Sequence, residues 1–167
     1  MNGGVIDCSR TYAAQVGGKR QFATFYIGGL FFGIDVLRVQ EILCPQRMTP
    51  VPLAEEIVEG LINLRGQIVS AIDMRRRLNM ECRKPDGESM NIVIHTDEGA
   101  VSLLVDEIGD VVEVDETTFE APPENLTSNA KKLVSGVYKM RERLLLVIDT
   151  DRTLDLDINE TNQKRTA

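Results

Sequence analysis

The sequence is short of the residue types from which catalytic and metal sites are built. It contains one histidine, His95, and three widely separated cysteines that form no C-x-x-C pair. A histidine-based nucleophile could use only His95, and neither a nucleophile elbow nor a phosphate-binding P-loop is present. The acidic residues show no metal-ligand spacing and no EF-hand loop. We therefore expect no enzyme, no metal and no cofactor in this chain.

Positive charge and long apolar runs are also scarce. The formal net charge of −7 at pH 7 argues against a partner such as nucleic acid or an anionic membrane, since both need a basic surface. No apolar run approaches the about 18 residues of a membrane span, and the N-terminus lacks the apolar core of a signal peptide. An odd number of separated cysteines argues against a disulfide framework and favours a reducing compartment. We predict a cytoplasmic protein, without direct membrane insertion, that is a monomer when isolated.

The chain does contain an internal repeat. Gly60–Leu78 aligns without a gap with Gly136–Leu154, and the two segments share glycine, arginine, isoleucine, aspartate and leucine positions. A shorter pairing joins Val39–Ile42 to Val105–Ile108. A repeat of this length is too large for a solenoid unit. It indicates two copies of one small β-unit that pack together.

Strand signals dominate both copies, because apolar and polar residues alternate over short runs. Gly28-Gly29 and Asp97-Glu98-Gly99 offer hairpin turns, in which glycine accepts a positive φ. Many short strands with few helices indicate small barrels or a sandwich. The main strands are predicted over residues 23–27, 31–39, 68–72, 91–95, 100–105 and 144–148.

Helical signals are few. Short helices are predicted over Ala54–Glu59, where Gly60 would end the helix, and over Thr127–Leu133. Asp73 and Asp149 each follow a strand that ends in isoleucine, so each can cap a helical turn by accepting backbone N–H groups.

Three segments resemble a known family. Gly60–Val69 resembles the G-x-x-N-L-R-G-x-I-x-P signature of the CheW-like family of bacterial chemotaxis coupling proteins. Phe32–Ile42 is similar to the family's Y-G-I-D-I-x-K-V-Q-E-I, and Val105–Val111 to its V-D-x-V-x-D-V. The resemblance extends from about Phe22 to Leu154, which is nearly the whole folded chain.

The resemblance implies a mainly β fold of two five-stranded SH3-like β-barrel subdomains, with a shared hydrophobic core and a few short helices. The CheW-like domain is expected over 21–158, with two intertwined repeat units at approximately 22–80 and 89–156. The polar ends of the chain, 1–20 and 159–167, are expected to be flexible. The implied function is a non-enzymatic adaptor, associated with receptor arrays, between the regulatory domain of the histidine kinase CheA and the cytoplasmic tip of methyl-accepting chemoreceptors.

The resemblance also implies which residues touch these partners. The kinase is expected at Gly60 and Val105, and the receptor at Val39, Glu41, Asn63, Arg65 and Gly66. The Arg65 guanidinium carries five donors in a rigid fork, which suits a partner carboxylate or backbone carbonyls. Val39 and Glu41 alternate on a strand and should share a face. The structural alternative for this pair is an ordinary core valine and a solvated glutamate.

Structural roles stay open for the other positions as well. Arg141 occupies the repeat position of Arg65, which favours a barrel-building role for both arginines. Asn63 and Gly66 also suit a turn, and Gly60 the end of a helix.

Two positions depart from the family pattern. Ser70 replaces a proline, which changes a local strand preference, and Asn125 stands where relatives often present an apolar tip for packing into rings. Two other functions stay open: a CheW-like coupling subunit of another motility or biofilm signalling kinase, and an enzyme of unrecognised type that uses His95.

Overall fold

The computed structural model describes residues 18–84 and 87–155, and in these residues eleven strands form two sheets. The strands are β1 Lys19–Ile27, β2 Leu30–Asp35, β3 Val39–Leu43, β4 Val58–Leu64, β5 Gln67–Asp73, β6 Met90–Thr96, β7 Gly99–Val105, β8 Glu107–Asp115, β9 Phe119–Glu120, β10 Val134–Lys139 and β11 Leu144–Ile148. The helices are α1 Met74–Arg77, α2 Ser128–Leu133 and α3 Thr150–Leu154, and 3₁₀ turns span Val36–Arg38 and Glu116–Thr118.

Each sheet takes strands from both copies of the repeat. Sheet I has the order β3-β6-β7-β5-β4, and sheet II has the order β8-β1-β2-β11-β10-β9. The β1–β2 hairpin of the first copy lies beside β11 of the second, with Phe32 next to Leu146. The β6–β7 hairpin of the second copy lies beside β5 of the first, with Val101 next to Ser70. The two copies therefore interlock through exchanged hairpins, and both of these contacts are parallel.

The mainly β architecture with few short helices is confirmed. Sheet II contains a sixth strand because the two-residue β9 pairs with β10. The helix predicted over Thr127–Leu133 is α2, and the Thr127 hydroxyl caps it by accepting the N–H of Ala130. Asp73 and Asp149 cap α1 and α3 as predicted.

Two predicted elements are wrong. Residues 54–59 form turns and the beginning of β4 instead of a helix, because so short a segment gains too little to nucleate a helix alone. Gly60 accordingly lies inside β4. The strand predicted over Phe31–Val39 ends at Asp35, because the Asp35 carboxylate accepts the N–H of Leu37 at 2.9 Å and caps a 3₁₀ turn.

The main core lies between the two sheets. The stacked rings of Phe25 and Phe32, with centroids 5.9 Å apart, come from sheet II. They belong to one buried cluster with Ile94 and Leu103 of sheet I. The two barrels therefore share this main apolar core, as the resemblance implies, beside two smaller buried clusters.

Cys44 takes part in a disulfide bond, so the expectation against disulfides is wrong at this position. Spacing along the chain could not indicate the bond, because a disulfide depends on the distance between two cysteines in space. Cys82 is free and exposed. In the part of the chain that the structure describes, no helix is long and apolar enough to cross a membrane.

Asp106, between β7 and β8, ties the two sheets together. Its carboxylate accepts two hydrogen bonds from Arg75 at 2.8 and 2.7 Å and one from Arg83 at 3.2 Å. It also accepts the backbone N–H of Gly28 at 2.8 Å. Gly28 belongs to the β1–β2 turn of sheet II, whereas Arg75 belongs to α1, which follows β5 of sheet I.

We expect this cluster to make stability depend on pH in the acid range. Burial acts to raise the pKa of Asp106, but the hydrogen bonds from Arg75, Gly28 and Arg83 outweigh burial and lower it. The stability that a lowered pKa contributes is complete above the unfolded-state value of about 3.9 and is lost as the pH falls through the folded-state value. The free energy of unfolding, measured by urea titration, should therefore fall more steeply below about pH 4 in the parent chain than in Asp106→Asn.

The control for this prediction is Glu98→Gln, at an exposed turn, which should keep the parent slope. An Asp106→Asn variant whose stability falls as steeply in acid as the parent's would contradict the prediction.

Candidate functional site

The β4–β5 hairpin places three of the predicted receptor residues at one turn. Arg65 and Gly66 have φ of +53° and +87°, and two positive values are what a two-residue type I′ turn requires. The Asn63 side-chain carbonyl accepts the Gly66 N–H at 3.0 Å and closes the turn. Arginine adopts this conformation at a cost of roughly 1 kcal/mol. Asn63 and Gly66 therefore do form a turn, which was the structural role left open for them, and Arg65 lies at the tip of this turn.

Arg65 forms an ion pair with Glu41 of β3. The Arg65 Nη2 lies 2.9 Å from Glu41 Oε2. The Glu41 side chain is only 10% exposed, whereas the Arg65 side chain is 79% exposed. The alternative in which Glu41 is an ordinary glutamate exposed to solvent is therefore wrong. Since a charge held out of water needs a partner, Arg65 satisfies Glu41 while most of its own surface faces solvent.

A β-bulge at Gln40 separates Val39 from Glu41. Val39 pairs with Ile94, and Glu41 pairs with Val93, the adjacent residue of β6. Adjacent strand residues point to opposite faces, so Val39 and Glu41 do not share a face and that prediction is wrong. Simple alternation fails here because the bulge inserts one extra residue into β3. Val39 is half-buried and packs against the main core.

Gly60 lies where the segment around Thr49 runs antiparallel and close beside β4. A Cβ atom at Gly60 would lie 2.8 Å from the carbonyl oxygen of Thr49. Thr49 and Leu61 exchange two backbone hydrogen bonds, of 2.9 and 2.8 Å. At the repeat position, a Cβ atom at Gly136 would lie 2.6 Å from the carbonyl oxygen of Glu120. Both glycines therefore allow an antiparallel neighbouring segment to approach closely, and Gly60 does not end a helix.

Val105, at the end of β7, has no exposed surface and belongs to the main core. A side chain in this position can influence a partner only through its neighbours. Gly60 is also buried and lies on β4, an edge strand of sheet I, whereas β7 is an interior strand. The kinase contact at these two positions stays a prediction.

Sequence alternation misses two exposed apolar side chains, of which Ile68 lies near the Arg65 turn. Ile68 of β5 is 60% exposed and Leu37 of the first 3₁₀ turn is 56% exposed. An apolar residue in a strand pattern is assigned to the core by default. Its exposure becomes apparent only from the hairpin register, which pairs Ile68 with Asn63 near the turn.

The groups assembled here suit recognition of another protein surface. An outward guanidinium and a neighbouring exposed apolar side chain, here Ile68, are features that concentrate binding energy at protein interfaces. His95 lies elsewhere, exposed near the end of β6 and paired with Ala100. Over residues 18–84 and 87–155, no group of three or more histidine, cysteine, aspartate or glutamate side chains is arranged to hold a metal ion.

Comparison with known proteins finds relatives along nearly the whole chain. A family model described as CheW-like domain matches residues 21–157. The chain is 31% identical to the chemotaxis protein CheW of Bacillus subtilis over 148 residues, which cover 89% of this chain and 95% of the relative. It is 28% identical to the chemotaxis protein CheW of Klebsiella aerogenes over 151 residues, which cover 90% of each. The crystal structure of the scaffolding protein TtCheW from Thermoanaerobacter tengcongensis is similar with a TM-score of 0.74 and 26% identity, covering 83% of this chain and 94% of that one.

Proposed function

The chain belongs to the CheW-like domain family, and from that premise we propose that it couples methyl-accepting chemoreceptors to the regulatory domain of the histidine kinase CheA. As a member of this family it is a chemotaxis scaffold protein and not an enzyme. The observation that supports the coupling role is the Arg65 turn, in which a two-residue hairpin loop holds a largely exposed guanidinium.

The proposal assigns the receptor tip to the surface around this turn. Arg65 offers its outward donors to a receptor carboxylate or carbonyl. Glu41 holds the guanidinium in place at 2.9 Å, and Asn63 and Gly66 fix the turn. Val39 supports β3 from the core side. Gly60 and Val105 are assigned to the kinase side through the backbone and neighbours that they position.

Individual contacts of an adaptor need only modest affinity. Interfaces at the small end of the usual range exchange readily, and holding several of them in one array raises the effective concentration of each partner. The proposal accordingly includes a cytoplasmic location at receptor arrays, reached through partners, and a monomer when the chain is isolated.

The proposed domain limits are 21–158, with terminal segments 1–20 and 159–167 outside the domain. Those terminal segments lie largely outside the described residues. Lys19 and Arg20 belong to β1, so this strand begins before the proposed limit.

Arg65→Ala is expected to weaken receptor binding, and this loss of binding can be distinguished from the variant's loss of stability. Removing the guanidinium leaves the Glu41 carboxylate nearly buried without this partner, which costs about 1 kcal/mol and lowers the Tm by about 3 °C. In the double variant Glu41→Gln/Arg65→Ala the buried group is neutral, so the Tm should return towards the parent value. Binding of a purified receptor tip, measured by calorimetry, should stay weakened by about tenfold in both variants.

Two further variants make this test specific. Arg141→Ala removes an exposed arginine at the repeat position and should leave receptor binding unchanged. Glu41→Gln alone measures what the carboxylate contributes. A double variant that regains binding together with stability would show that Arg65 acts through the fold. A parent chain that binds neither the receptor tip nor the CheA regulatory domain would overturn the coupling function.

A further inference from the structure

The two parallel strand contacts allow the barrels to be compared position by position. Leu146 lies next to Phe32 in sheet II, and Ser70 lies next to Val101 in sheet I. Leu146 is the repeat partner of Ser70 in the gap-free alignment, so Val101 corresponds to Phe32. Sheet I therefore has a serine and a valine where sheet II has a leucine and a phenylalanine.

An open groove lies beside these two smaller side chains of sheet I. The groove has a volume of about 660 Å³ and lies between β5, the β6–β7 turn and α3. In sheet II the corresponding place is filled, because Phe32 has no exposed surface and Leu146 is 4% exposed. In the groove, Ser70 and Val101 are only half-buried.

The floor of the groove is an apolar extension of the main core. Val58, Val101 and Leu154 line the groove and also pack against the main core. Ile68 lines it with 60% of its surface exposed. Removing apolar surface from water is favourable, so a side chain that covered this floor would bind with a hydrophobic gain.

The rim of the groove is acidic. Asp97, Glu98, Asp151 and Asp155 line it, and none of the described lining residues is lysine, arginine or histidine. The side chain of Arg38 reaches Asp151 only at 3.9 Å, and the Asp151 side chain is 77% exposed. Carboxylates arranged around an apolar floor favour a partner with positive charges at both sides of an apolar anchor.

We propose that this groove binds a segment of another protein that inserts a side chain of leucine or phenylalanine size and carries lysine or arginine on either side of it. The size follows from Leu146 and Phe32, which fill the corresponding place in sheet II. The charge follows from the carboxylates of the rim. Ile68 adjoins both the groove and the Arg65 turn. The residues assigned above to receptor and kinase are not among those that line the groove, so this inference does not rest on that assignment.

The probe is a fluorescein-labelled peptide, KKLFLKK, added to the full chain and followed by fluorescence anisotropy. Two matched peptides, EELFLEE and KKSSSKK, remove the charge match and the apolar anchor in turn. We expect KKLFLKK to bind at least about tenfold more tightly than either of them.

Three variants test whether the peptide binds in the groove. Val101→Phe introduces the residue of the other barrel and should weaken KKLFLKK binding by about tenfold. Asp97→Lys/Glu98→Lys reverses two rim charges at an exposed turn and should do the same. Glu113→Lys/Asp115→Lys makes the same change in net charge at exposed positions of β8. It should weaken KKLFLKK binding less than the rim variant does. If Val101→Phe does not fold by circular dichroism, the two lysine variants decide the question.

The chain's own C-terminal residues are tested in the same assay. Leu156 and Ile158 follow the groove-lining Asp155 in sequence, and Leu156→Ser/Ile158→Ser removes their apolar side chains from the full chain. If KKLFLKK binds only to this variant, the groove belongs to the chain itself and the proposed foreign partner is overturned. Equal binding of all three peptides, or equal loss in the rim and β8 variants, overturns the proposal as well.

Discussion

Arg77→Ala is expected to lower the free energy of unfolding by about 3 kcal/mol. Arg77 is 3% exposed. Its Nε donates to the carbonyl oxygen of Thr153 at 2.7 Å, and its Nη2 donates to those of Arg152 and Asp155 at 2.9 and 3.0 Å. The last carbonyls of a helix have few partners within the helix. That of Arg152 also accepts the N–H of Asp155 at 3.3 Å, so alanine would mainly remove donors from the carbonyls of Thr153 and Asp155, in a largely buried place.

The position of Arg77 explains why so much depends on one side chain. Arg77 belongs to α1, which ends the first copy, and it contacts α3, which ends the second. Thr153 is itself the repeat partner of Arg77 in the gap-free alignment. Burial lowers the pKa of Arg77, and the nearby Asp155 acts in the opposite direction. The side chain thus joins the two copies at the place where equivalent residues meet.

The measurement is urea-induced unfolding of the parent and three variants. A loss of 3 kcal/mol corresponds to a fall in Tm of roughly 6–12 °C in a domain of this size. Arg77→Lys should recover only part of the stability, because one ammonium cannot serve three carbonyls as a planar fork does. Arg76→Ala, the neighbouring and more exposed arginine, should cost less than about 1 kcal/mol. Equal losses for Arg76→Ala and Arg77→Ala would contradict the prediction.

Gly136→Ala is expected to cost about 2 kcal/mol and to lower the Tm by roughly 4–8 °C. The added Cβ would lie 2.6 Å from the carbonyl oxygen of Glu120, and it would also meet the ring of Phe119. The ring can move, but Glu120 belongs to a strand that pairs with β10, so the backbone must shift. Gly60→Ala should act in the same way, since its Cβ would lie 2.8 Å from a backbone oxygen of Thr49.

These glycine variants also test the proposed kinase role of Gly60. If Gly60 acts by letting the Thr49 segment approach, Gly60→Ala should lose stability and kinase binding together, and Gly136→Ala should lose stability alone. Thermal unfolding and binding to a CheA regulatory domain would be measured on the same samples, with Ser135→Ala, exposed and adjacent to Gly136, as the control. Loss of kinase binding at an unchanged Tm in Gly60→Ala would indicate a direct contact instead.

The repeat made much of this fold predictable. Aligning the two copies places Asp73 over Asp149 and Gly60 over Gly136, and each pair has one structural role. The aspartates cap α1 and α3, and the glycines allow a neighbouring segment to approach closely. The exchange of hairpins between the sheets could not be predicted in this way. Alignment shows which segments resemble each other, whereas strand pairing depends on which edges meet in space.

The residues of the candidate site were predictable from the sequence, whereas their arrangement in space was less so. The Asn63–Gly66 turn follows from its residue types, because amide and glycine side chains suit a tight hairpin. The partner of Arg65 does not follow, since Glu41 reaches it only because a bulge at Gln40 changes the register of β3. Asp35 likewise ends β2 through a side-chain hydrogen bond, which the apolar pattern of that segment does not record.

The exchanged hairpins set the order in which the chain can fold as it leaves the ribosome. All five strands of sheet I lie between Val39 and Val105, so sheet I can close while translation of the last strands continues. The β1–β2 hairpin emerges first but gains its neighbour β11 last. Phe32 therefore lies beside an unfilled edge of sheet II until β11 has been made, and a chain interrupted before Leu144 would leave that edge without its partner strand.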